Sequence, residues 1–151
     1  MLLHGSRHLW SWLIFNVSQM KLTPMQLSSV SFHDATVQRI EERSDYISLA
    51  LDFAFVGPPH ADAEGKEWTA RDCLFECFGV RRSEKEEWDD TRAPKPHTEP
   101  DYPIEELLDE EVVDGCLVLR GFTRKKNWGI WRIEAREYSL TWKARDEFKK
   151  G

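Results

Sequence analysis

At 151 residues the chain is of single-domain length, long enough to bury a core without disulfide or metal staples. A composition of 40% hydrophobic and 32% charged residues places it among ordinary soluble proteins, and a net charge of −6 argues against a general nucleic-acid binder. The charge is uneven: residues 84–114 hold 13 acidic and 3 basic side chains, net −10, whereas residues 115–151 hold 4 and 10, net +6. The three cysteines are Cys73, Cys77 and Cys116. On one strand Cys73 and Cys77 would stand about 13 Å apart, beyond the roughly 7 Å that a disulfide spans. With an odd cysteine left over, a reducing, cytoplasmic setting is the simpler reading.

Residues 1–26 read as an N-terminal extension. His4, Arg7 and His8 precede the apolar run Leu9–Phe15, which has the outline of a secretory leader. The run is broken by Ser11, lacks an Ala-x-Ala site after it, and is too short to cross a bilayer. An extra segment, or sequence upstream of a start at Met20, are the other readings. Residues 27–151 then form a single β-rich domain.

The best strand is Tyr46–Val56, where Ile47, Leu49, Leu51, Phe53 and Phe55 alternate with small or polar residues. Five such side chains on one face are worth several kcal/mol, at roughly 1.5–3 each before conformational entropy is charged. Gly57-Pro58-Pro59 ends it, since proline lacks the ladder donor. His60–Asp72 reads as a loop and Cys73–Val80 as a central strand, apolar on both faces. Residues 81–103 form an acidic insert with Pro94, Pro96, Pro100 and Pro103, a composition that predicts a long excursion without continuous structure. Ile104, Leu107, Leu108 and Val112 fall at helical spacing, and with Pro103 before them and Gly115 after they predict a short helix near 102–113.

Cys116–Thr123 and Trp128–Arg136 predict a hairpin about the Arg124–Asn127 turn. Trp131, Ile133 and Ala135 are odd-numbered, yet the next apolar set, Tyr138, Leu140 and Trp142, is even-numbered. A bulge or sharp bend near Arg136-Glu137 restores the facing. Asp146–Gly151 reads as a fraying tail. The fold class expected is β-rich α+β, an antiparallel sheet of five to seven strands, curled or sandwich-like, with the one short helix.

Several constellations carry chemistry. His33-Asp34 has the residue types of an acid/base pair, the basis of a hydrolase-type reading, but neighbours on a strand face opposite ways and can cooperate only in a turn. In a structural role the same residues bond backbone amides at a strand entrance. Cys73-x₃-Cys77 with His60 or His97 has zinc-like spacing, but no second pair accompanies it, so no metal or other cofactor is assigned. Nucleophile-elbow, HExxH, P-loop and dinucleotide glycine motifs are all missing, which favours binding over catalysis.

Within the acidic run, Glu86, Glu87, Asp89 and Asp90 surround Trp88, an arrangement suited to a basic protein partner with the indole as anchor. Trp128 beside Arg124 and Lys126 is the stacking candidate for a small ligand or carbohydrate, while Trp131, Tyr138 and Trp142 are expected in the core.

Phe32-His33-Asp34-Ala35, with Ile40 and the alternating strand after it, and the later Trp131-Arg132-Ile133, resemble a group of small bacterial proteins, some grouped with polymorphic-toxin immunity proteins. The resemblance covers Ser31–Phe55 and Gly129–Ala135, and the insert at 84–103 has no counterpart in it. It implies a single-domain β-rich protein that acts by binding in the bacterial cytoplasm. The acidic run, independently, suits a basic protein partner such as a toxin, and no membrane span is read. The alternative is a small-ligand or carbohydrate-binding β domain, and an enzyme using His33 and Asp34 comes third.

Overall fold

The computed structural model describes residues 19–57, 67–88, 94–96 and 104–147. The strands are β1 (Gln19–Leu22), β2 (Val30–Ser31), β3 (Val37–Arg43), β4 (Tyr46–Val56), β5 (Trp68–Phe78), β6 (Arg82–Trp88), β7 (Pro94–Pro96), β8 (Glu106–Val113), β9 (Cys116–Phe122), β10 (Trp128–Glu134) and β11 (Glu137–Glu147). A short 3₁₀ helix, Pro24–Ser29, joins β1 to β2. Six strands form a first sheet, in the order β1-β11-β5-β4-β2 with β3 also on β4, and five form a second, β7-β6-β10-β9-β8. All the pairings are antiparallel. One apolar cluster is shared, with Leu49, Phe75, Tyr138 and Leu140 from the first sheet meeting Leu107, Leu119, Trp131 and Ile133 from the second. The fold is thus β-rich and antiparallel, as the alternation indicates. No described helix is long and apolar enough to cross a membrane.

Two strands bend from one sheet into the other. β5 runs into β6 as β10 runs into β11, and the ladder continues through the corner by Arg136 N–H to the Phe78 carbonyl (3.0 Å) and Arg81 N–H to the Glu134 carbonyl (2.8 Å). Glu137 pairs with Phe78 and Glu134 with Arg82, so residues 79–81 oppose only Ala135 and Arg136. This is the irregularity expected at Arg136-Glu137, with the extra residue on the partner strand. Gly79 supplies the left-handed conformation there, φ 64°. Tyr138, fully buried, accepts the Ala135 N–H at 3.3 Å, and burial pushes its hydroxyl pKa up to about 12.

On the far side the sheets are joined by the Phe32–Ala35 turn. Ala35 N–H bonds the Phe32 carbonyl at 2.9 Å, and Asp34 takes φ 66°, a conformation that Asp tolerates better than most residues. Asp34 N–H then reaches the Leu107 carbonyl (2.8 Å) and Leu107 N–H the Ala35 carbonyl (2.8 Å). Beyond the turn, Thr36 bridges Glu106.

Several sequence expectations are corrected. Among the described residues of the segment 102–113, which begin at Ile104, there is no helix: β8 spans Glu106–Val113, closed onto β9 by the two-residue turn Asp114-Gly115 with φ 50° and 77°. That is the positive-φ pair of a tight hairpin, and Asp-Gly is its sequence signal. Strand geometry also places Asp109 and Glu111 where Arg120 can bond both, at 3.0 and 2.9 Å. A helix would instead have set those carboxylates against its own C-terminal dipole. The insert 81–103 contains β6, paired with β10, and β7, paired with β6. β5 begins at Trp68, inside the expected loop, and β11 reaches Glu147. β1 lies within the stretch read as an extension, with Met20 and Leu22 in the core.

In β4 the inward set is Ile47, Leu49 and Leu51, then Ala54 and Val56. Phe53 and Phe55 turn to the other side, half-buried and edge-to-face at 5.2 Å. The cause is Asp52, whose Oδ1 accepts the Thr36 and Phe53 N–H groups (2.7 and 2.9 Å) and breaks the alternation. β5 slips at the same rung: Asp72 has φ 51°, and the buried set changes from Cys73, Phe75, Cys77 to Trp68, Ala70.

Candidate functional site

The inner and outer faces of the second sheet differ in kind. Inward, Leu117, Leu119, Trp131 and Ile133 are buried. The Trp131 indole N–H donates to Ser83 Oγ at 2.9 Å, and Ser83 and Lys85 both bond the Glu42 carboxylate at the end of β3. The core tryptophan is therefore satisfied and covered, as expected for Trp131, Tyr138 and Trp142.

Outward, one rung carries Phe122 on β9, Trp128 on β10 and Trp88 on β6 in direct register. Phe122 is 36% exposed, and Trp128 and Trp88 are half-buried. Phe122 and Trp128 meet edge to face, centroids 5.7 Å apart. Trp88 and Trp128, which sequence reasoning assigns to separate readings, thus belong to one surface. β7 continues the rung in backbone pairing, Pro94 opposite Trp88.

Below the aromatic row the outer face is an ion-paired mosaic. Arg82 bonds Glu84 at 2.8 Å and holds its carboxyl below the usual carboxylate range. Arg132 contacts Glu86 at 3.4 Å, and the other Glu86 oxygen accepts the Trp88 indole N–H at 2.9 Å. Arg120 spans Asp109 and Glu111. With Glu134 beside Arg81 (3.6 Å), carboxylates outnumber guanidinium groups on this face. Such exposed pairs contribute little stability each; they fix side-chain positions at the rim of the row.

Glu86 is thereby engaged within the chain, and so is Glu87, whose Oε2 accepts Asn127 Nδ2 (2.8 Å) and Thr123 Oγ1 (3.2 Å) and braces the β9–β10 turn. Asp89 and Asp90 lie outside the described residues. Arg124 reaches Glu105 at 3.4 Å, and Lys126 sits in the turn at φ 67°. Both stand on the loop that leads into Trp128.

His33 and Asp34 do meet, because they occupy a turn and not a strand: Nε2 lies 3.4 Å from Asp34 Oδ2, with both side chains about three-fifths exposed. His33 Nδ1 is 2.5 Å from the Leu108 carbonyl. That bond, then Asp34, raises the imidazole pKa above its ordinary value. Both ring nitrogens thus face acceptors, Nδ1 the Leu108 carbonyl and Nε2 the Asp34 carboxylate, which makes the pair a clasp between the Phe32–Ala35 turn and β8. Glu110 completes the clasp by accepting the Phe32 N–H at 2.9 Å, and its burial raises the carboxyl pKa.

Among the described residues no group of three or more His, Cys, Asp or Glu is placed to hold a metal, and His60 and His97 lie outside them. Cys73, Cys77 and Cys116 are free and buried, and burial pushes the Cys73 thiol up to about 12 and the other two upward as well. No family model matches the chain, and neither a curated protein nor a solved structure matches it.

Proposed function

We propose that the chain is a non-enzymatic, immunity-like binding protein that engages a protein partner through the outer face of the second sheet. The observation that carries this reading is the single rung Phe122–Trp128–Trp88, three large aromatic side chains partly open to solvent on adjacent strands. Adjacent strands lie about 4.8 Å apart, so the three side chains stand side by side across the sheet, with Phe122 and Trp128 in edge-to-face contact. Tryptophan and tyrosine anchors of this kind, ordered by few torsions, dominate protein interfaces. The carboxylates around Arg82, Arg120 and Arg132 suit a partner with a basic contact surface, whose approach they would accelerate. The buried thiols suit a reducing cytoplasm.

The test is co-expression with the protein encoded by the neighbouring gene. A complex whose hydrogen-exchange footprint covers β6, β9 and β10, and whose association slows steeply between low and high salt, is expected. A footprint on the first sheet, or association indifferent to salt, rejects the reading. Trp128 beside Arg124 and Lys126 keeps the small-ligand alternative in view; saturable quenching of tryptophan fluorescence by a sugar, lost in Trp128→Ala, would favour it.

A further inference from the structure

We propose that the outer face of the first sheet carries a second, separate site, for a small organic molecule with one carboxylate on an apolar body. A groove of about 630 Å³ runs across it, within the roughly 300–1,000 Å³ usual for small-molecule sites. Its floor is one rung of four strands: Arg39 on β3 pairs with Ala50 on β4, Ala50 with Leu74 on β5, and Leu74 with Thr141 on β11. Ala50 and Thr141 are small, so the sheet is hollow between the longer side chains at its banks.

The backbone is irregular at both banks. β3 bulges at Gln38, between Val37 and Arg39, and Asp72 on β5 holds a left-handed φ of 51°. Bulges re-aim side chains, and strained residues gather at binding sites. Both Gln38 and Asp72 line the groove.

Charge selects the ligand. Arg43, Arg71, Arg82, Lys85, Arg120, Arg124 and Arg132 each contact a carboxylate. Among the described residues Arg39 and Lys143, which flank the groove, have no such partner. β3 and β11 are three strand spacings apart, about 14 Å, and Lys143 stands two residues, roughly 7 Å, beyond the rung of Arg39. The two cations thus bank the groove diagonally at about 16 Å, a span that two long side chains leaning over the floor can close upon one headgroup. Arginine offers a carboxylate its two-pronged donor set, and Lys143 adds a point charge. Asp72 repels a second negative charge, so a monoanion fits better than a polyanion. Ala50 and Leu74 provide the apolar floor for its body, and Gln38 and Thr141 supply neutral polar contacts.

The experiment is an amide-resolved NMR titration of the full chain with 2-naphthoate, with 2-naphthylmethanol as the neutral control. Saturable shifts centred on Ala50, Leu74 and Thr141 are expected. Removing the charges in Arg39→Gln/Lys143→Gln should weaken binding about tenfold or more, and the neutral alcohol should lose as much. Lys143→Arg should retain binding, which separates loss of charge from loss of structure. Shifts centred on Trp88 and Trp128, equal binding of acid and alcohol, or indifference to the double substitution would overturn the assignment.

Discussion

Trp128 and Trp131 lie three positions apart on β10, yet they belong to different economies of the molecule. Trp131 faces inward, 1% exposed, with its indole N–H bonded and Lys85 set over its ring at 5.1 Å. Trp128 faces outward, half-buried, against Phe122 and opposite Trp88. An odd-numbered step along a strand reverses the face, so the same residue type serves the core at one position and a surface at the other. Aromatic load alone therefore does not separate core from surface; parity on a paired strand does.

The comparison is broken most severely by truncating the inward member. Trp131→Ala is expected to cost about 3–5 kcal/mol in chemical denaturation, because it empties the shared core and strands Ser83, Lys85 and Glu42 together. Next comes Gly121→Ala, on the inner face of β9. A Cβ there would stand 1.9 Å from the Glu106 carbonyl oxygen, so β8 must shift. A loss of about 1–3 kcal/mol is expected, with increased amide exchange confined to β8 and β9; an unchanged β8 would contradict the close approach. Trp88→Ala and Trp128→Ala should each cost about 1 kcal/mol or less, as outer-face positions do.

The smallest effect concerns His33. Its pKa is raised in the folded chain, first by the Leu108 carbonyl and then by Asp34. Its contribution is therefore fully present below the unfolded value of about 6.5 and is lost as pH rises through the folded pKa. An imidazole titration by NMR should give a midpoint above that of an unfolded reference. Stability of the wild type should fall slightly more than that of His33→Ala across the same window, and a midpoint at or below the reference would remove the clasp.

How far the sequence was legible follows from which interactions are local. The β4 boundaries and the parity slip between β10 and β11 were readable, because alternation is written within a few residues. β8 reads as a helix in sequence because Ile104, Leu107, Leu108 and Val112 satisfy helical spacing, while Asp114-Gly115 carries the competing hairpin signal. β6 was illegible in principle: neither face is apolar, and only pairing with β10, some 46 residues away at Trp131 and Lys85, makes it a strand. Trp88 and Trp128 were each visible as candidates, but their register is a non-local fact. The sequence marks the turn at Phe32–Ala35 as a strand entrance; that it joins two sheets depends on the position of β8.

The most direct measurement pairs affinity with stability in Trp88→Ala/Trp128→Ala, using the protein encoded by the neighbouring gene as partner. The account predicts a melting temperature within about 5 °C of the wild type and an affinity lower by about thirtyfold or more. Undiminished affinity, or a loss matched by collapse of the fold, would contradict it.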